Sequence, residues 1–120
     1  MNRDRRDYII LRKIVKYCDG IASSIKRFGD SEATLESDMD YLDSVSMKIL
    51  QIGELTTRLS DDFKSYHNEI PWRNIKNMRN IVAHNYESFD SKYVWKTASE
   101  NVPALREFCH RILEQNSNVQ

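Results

Sequence analysis

Between residues 77 and 86 the chain reads NMRNIVAHNY, which places Arg79, Asn80, His84 and Tyr86 within eight positions. A helix that only buries one face has no use for all four of these groups. An imidazole exchanges protons near neutral pH, and a guanidinium grips phosphate through a planar fork of donors. For cutting RNA without a metal, that is the pair required. One group takes the proton of the ribose 2′-hydroxyl, another protonates the leaving oxygen, and an arginine holds the extra charge of the phosphorane. A single His is half of an acid–base pair, so two copies brought together by a two-fold dimer would complete it. Taken one at a time, an Arg and a His near a helix end more often cap or solvate it, and residue types alone leave both readings open.

Spacing sharpens the question. On a regular helix Arg79 and His84 lie about 7.5 Å apart along the axis and about 140° apart around it, whereas Asn80 and His84, four apart, share a face. The long Arg79 side chain can swing towards that face, and Tyr86 comes just beyond.

Four apolar stripes supply the elements that must hold these groups in place. Leu11, Ile14, Cys18, Ile21, Ile25 and Phe28 recur at steps of three and four and predict a first helix over about 7–28. FGDSEATLES breaks that pattern, and Leu42, Val45, Ile49, Ile52, Leu55 and Leu59 restart it over about 40–59. Tyr41, Met47 and Leu50 stand off this second stripe, so the helix is either central or touches another subunit. Pro71 fits the first turn of a third helix, whose buried face is Trp72, Ile75, Met78 and Val82. Asp90 or Ser91 suits the cap of a fourth, carrying Val94, Trp95, Ala98, Val102, Leu105, Cys109 and Ile112. Pro103 either kinks that helix or opens a fifth. The expected fold is all-α, an up-and-down bundle of four to five helices in one domain over residues 1–120, with a frayed tail from about 114.

Composition sets the limits. A chain of 120 residues can bury one core, and three Gly and two Pro leave little for the turns of an all-β fold. The 18 basic and 18 acidic side chains cancel overall but are unevenly spread: residues 1–28 hold eight against three, 29–62 two against nine, and 63–86 four against one. The motif thus sits in a locally basic stretch, which suits an anionic ligand and equally a solvated helix face. Arg3, Arg5, Arg6, Arg12 and Lys13 admit the same two readings. Cys18 and Cys109 stand far apart and read as small core residues of a reduced protein. The charged start MNRDRRDYIILRKIVKY is not a secretory signal, no run of 18 apolar residues could span a membrane, and the expected location is the cytoplasm. No metal and no cofactor are expected: His67 and His110 have neither the spacing of metal ligands nor a link to His84, and read as surface groups. Glu54 could touch the site across the bundle or lie on a helix surface.

Arg79 to Tyr86 spells R-x4-H-x-Y, and this run resembles the signature of HepT-like HEPN-domain ribonucleases. ILQIGELTTRLS (49–60) is similar to that family's QIGE helix, and IPWRNIKNMRNIVAHNY (70–86) to its run into the motif. SKYVWKTASENVPALREF (91–108) is similar to the family's next helical stretch. Leu55 and Thr56 depart from the small residues common there. The resemblance implies a toxin of a two-gene toxin–antitoxin system, a metal-independent endoribonuclease that acts as a homodimer on RNA. It implies Arg79 and His84 as catalytic residues with Asn80 supporting them. It also implies an MntA-type nucleotidyltransferase antitoxin that transfers AMP to the motif tyrosine, here Tyr86. Some HEPN members bind a nucleotidyltransferase or a nucleotide without cleaving RNA, and that is the alternative.

Overall fold

The computed structural model describes residues 2–84 and 90–117, and among these there are helices and no strand. Four long rods carry the fold: α1 (Asn2–Phe28), α3 (Met39–Thr57), α5 (Trp72–His84), and a last rod formed by α6 (Ser91–Lys96), a π-helical segment (Thr97–Asn101) and α7 (Val102–Ser117). Two six-residue helices, α2 (Glu32–Ser37) and α4 (Asp61–Tyr66), occupy the breaks between the apolar stripes.

The boundaries follow local chemistry. Gly29, at φ +134°, takes a backbone conformation that suits glycine, and its N–H donates to the Ile25 carbonyl at 2.9 Å to close α1. Ser31, Asp38, Ser60 and Asp90 then cap α2, α3, α4 and α6, each side-chain oxygen accepting a backbone N–H of the first turn. Pro71 stands directly before α5, and its carbonyl accepts from Ile75 N at 3.2 Å. Pro103 neither breaks nor restarts the last rod. The π-helical turn just before it widens the helix, so the proline comes after a stretch whose hydrogen-bond ladder has already shifted to i→i+5. The apolar positions Val94, Ala98 and Val102 fall at successive steps of four; a wider turn keeps them in line where a regular helix would rotate each step by about 40°.

α3 is the central rod. It packs against α1 and α5 and touches α2 and α6, while α1 also packs along α7. That accounts for its second apolar side: Tyr41 is fully buried, stacked on Phe28 at 4.9 Å, with its hydroxyl donating to the Gly29 carbonyl, and Leu50 is half-buried. Met47 remains 56% exposed. The core includes Leu11, Ile14, Cys18, Ile21, Val45, Ile49, Ile52, Phe108 and Cys109. Burial keeps both thiols protonated, pushing each up to about 12.

One polar contact spans a long stretch of sequence. Asp7, buried in α1, accepts from the Ser60 backbone N–H at 2.9 Å and from its hydroxyl at 2.7 Å, and Ser60 Oγ in turn accepts from Phe63 N. The α4 cap is therefore held in place by the second turn of α1. Among the described residues no helix is long and apolar enough to cross a membrane.

Candidate active site

α5 packs chiefly on α3, and the crossing is set by one residue. Gly53 lies so close to the motif helix that a Cβ placed on it would come within 2.3 Å of Arg79 Cβ and 2.6 Å of Cγ. Only a residue without a side chain lets the two helices approach this far. Thr56, next on the same face, is buried and turns its hydroxyl back to the Gly53 carbonyl at 2.8 Å, so its polar atom costs nothing in the contact.

The crossing leaves the Arg79 stem against α3 and its head at the rim. Nη1 reaches Glu54 Oε1 at 3.2 Å, with the two side chains 27% and 44% exposed. Nε is buried and meets no acceptor. The guanidinium is thus pinned at one nitrogen by a carboxylate of the neighbouring helix while Nε stays uncommitted. Glu54, which the sequence left between a surface role and a site role, is the partner that orients Arg79.

The other predicted residues fall elsewhere around α5. Asn80 is half-buried and lines a cleft of about 500 Å³ between α3, α4 and α5. His84, the last described residue of α5, is exposed, and no hydrogen bond or ion pair among the described residues joins it to Arg79. Ile81, 41% exposed, lies within one turn of both Asn77 and His84 on the solvent side. Tyr86 lies outside the described residues.

His67 corrects an expectation. It is not a free surface group: its side chain is 14% exposed, its ring lies 4.6 Å from Phe63 and 5.3 Å from Phe108, and its carbonyl accepts the Trp72 indole N–H at 3.0 Å. It helps build the wall on which α5 starts. His110 pairs with Glu114 along α7 at 3.2 Å. Among the described residues no group of three or more His, Cys, Asp or Glu could hold a metal ion.

The family described as ribonuclease HepT-like matches residues 11–112, which takes in Gly53, Glu54, Arg79, Asn80 and His84. The chain belongs to the HepT-like ribonuclease family. Among its relatives, "Probable ribonuclease HepT" of Thermococcus cleftensis is 42% identical over 55 residues, 46% of this chain and 50% of that protein. A candidate RNase of Caldanaerobacter subterraneus subsp. tengcongensis is 24% identical over 105 residues, covering 88% of this chain and 92% of its own length. A candidate RNase of Methanocaldococcus jannaschii is 28% identical over 78 residues, covering 58% and 72%. The match to the Thermococcus relative thus spans about half of that protein's length. No solved structure matches the chain significantly.

Proposed function

We propose that the chain is a metal-independent endoribonuclease, the toxin of a two-gene toxin–antitoxin pair, working in the cytoplasm as a homodimer. The observation that carries this reading is the Gly53 crossing. In a member of a ribonuclease family, it holds the Arg79 guanidinium against Glu54 five residues before an exposed imidazole.

In the proposed reaction a His84 imidazole takes the proton of the ribose 2′-hydroxyl, and O2′ attacks the adjacent phosphorus. Arg79 holds the charge that builds on the non-bridging oxygens. The P–O5′ bond then breaks, and O5′ collects a proton from a second imidazole, His84 of the other copy, leaving a 2′,3′-cyclic phosphate and a 5′-hydroxyl. Asn80 supports the pair as a neutral hydrogen-bonding neighbour. The dimer is called for by chemistry, since one chain offers one motif imidazole, and the exposed Ile81 beside His84 gives such a contact an apolar anchor. Control would come from an MntA-type nucleotidyltransferase antitoxin that transfers AMP to Tyr86; a bulky anion there would repel RNA and obstruct its path.

Cleavage of labelled RNA in EDTA by wild type, Arg79→Ala and His84→Ala tests the reading, with intact mass checked for an adduct on Tyr86. Loss of one oxyanion-type donor costs about 10²–10³-fold in rate, so both variants should be nearly inactive while retaining the wild-type helical signal and melting temperature. The products should end in a cyclic phosphate. Unmodified, folded wild type that leaves every RNA intact would remove the catalytic claim, and a non-catalytic module that binds a nucleotidyltransferase or a nucleotide would take its place.

A further inference from the structure

The cleft that Asn80 lines carries a charge that folding does not explain. Lys64 of α4 and Arg73 and Lys76 of α5 surround it, together with Thr57, Asn77 and Asn80, and no carboxylate contributes to its lining. None of the three cations is in an ion pair among the described residues. Arg73 and Lys76 are three apart on one helix, so they face the same way and repel each other. The wall behind them is stiff: Trp72 is clamped by its hydrogen bond to the His67 carbonyl and by Phe63 and Phe108. Three unpaired cations on a rigid concave surface, interleaved with amide and hydroxyl donors, form a site for a polyanion.

We propose that this cleft is the track along which single-stranded RNA reaches the Arg79/His84 site, its backbone phosphates held by Lys64, Arg73 and Lys76. The proposal rests on the ribonuclease reading and extends it. Arg73, Asn77, Asn80 and His84 succeed one another along a single side of α5, with steps of three or four residues. From Arg73 to His84 the helix rises about 16 Å, longer than one phosphate group and suited to a strand. Asn80 belongs to both the cleft and the motif, and so joins the track to the reacting centre. The cations carry no base-edge geometry, so the track sets register and direction on the strand without selecting sequence.

The test measures binding of a labelled single-stranded RNA by fluorescence anisotropy across a range of salt, with His84→Ala in every sample to prevent cutting. Each phosphate neutralised contributes about 0.7 to the slope of log K against log[salt] for a single strand. The triple variant Lys64→Ala/Arg73→Ala/Lys76→Ala should therefore lose about 2 from that slope and bind at least tenfold more weakly at low salt. A control triple at exposed cations elsewhere, Lys26→Ala/Lys96→Ala/Arg111→Ala, should keep the slope. Folding is not at stake, because removing mutual repulsion leaves the melting temperature unchanged or higher. If wild type cuts RNA and the cleft triple keeps the full slope, this proposal falls while the nuclease reading stands. If no RNA is bound or cut by any form, both fall together. If free ATP binds as tightly as the RNA and both are lost in the triple, the cleft is a mononucleotide pocket and the track is overturned.

Discussion

At the scale of single residues, the Arg79 guanidinium is held by a carboxylate that lies outside the motif. Arg79 and His84 stood out in the sequence through the R-x4-H-x-Y run and its resemblance to a family signature, since residue types alone left a capping or solvated reading open. Glu54 did not, because its contact joins positions 25 apart in sequence and exists only where α5 lies down on Gly53. Its role predicts a specific kinetic signature. Glu54→Gln keeps the shape but frees the guanidinium, and a loss of orientation of this kind costs about 10- to 100-fold in kcat. KM for RNA should stay level or fall, since a negative charge has left the neighbourhood of a polyanion, and the melting temperature should hold. A merely structural Glu54 would do the reverse, lowering the melting temperature and leaving kcat of the folded fraction intact. His67 shows the opposite failure of sequence reading. Without tertiary contacts a lone histidine in a polar stretch looks solvated, and only the folded chain places its ring beside Phe108 of α7.

At the scale of elements, two glycines that look alike in sequence have opposite consequences. Both sit inside helices, where glycine is about 1 kcal/mol less favourable than alanine. A Cβ at Gly20 would meet only Lys48 Cε at 2.9 Å and Cδ at 3.1 Å, the far end of a flexible chain. A Cβ at Gly53 would collide with Arg79 Cβ at 2.3 Å, which moves only if the backbone moves. Overpacking of that sort costs about 1–3 kcal/mol, enough to cancel the gain in propensity or exceed it. Thermal melts should therefore show Gly20→Ala a few degrees above wild type and Gly53→Ala at or below it. RNA cleavage should be lost only in Gly53→Ala, because pushing α5 outward pulls Arg79 off Glu54. The four long rods were readable from their apolar stripes, and the Asp90 cap from its residue type. The six-residue helices α2 and α4 were not, since so short a run shows no period. The π-helical turn left one clue, the successive steps of four at Val94, Ala98 and Val102, which read as an ordinary stripe until the widened turn explained them.

At the scale of the whole molecule, the core is nearly the one the stripes describe, with Cys18 and Cys109 inside it. Their burial has a measurable consequence. With both thiols pushed up to about 12, the thiolate fraction at pH 8 is roughly one in ten thousand, against about one in ten for an ordinary thiol near 9. Iodoacetamide at pH 8 should leave both cysteines unmodified in the folded protein and alkylate both once denaturant unfolds it, as intact mass would report. The same shift sets a direction for stability. Below about pH 9 the thiols are neutral in folded and unfolded chain alike. Above it the unfolded chain releases protons that the folded one retains, so stability declines as pH climbs through 12. The charge map of the whole chain was also informative: the basic surplus over 63–86 pointed to the stretch that supplies Lys64, Arg73 and Lys76. Their convergence on one cleft was not visible, because it needs α4 and α5 to be folded against the end of α3.

The clasp between Asp7 and Ser60 has a consequence for the start of the chain. Ser60 opens the short helix that carries Lys64 to the mouth of the cleft, and its cap is held from 53 residues away. A chain trimmed past Asp7 would lose a turn or two of α1 and also the anchor of α4, although α5 and the motif would be untouched. The first residues thus act as a remote tether on α4, and an addition that strains the opening turns of α1 would be felt at the cleft that Lys64 lines.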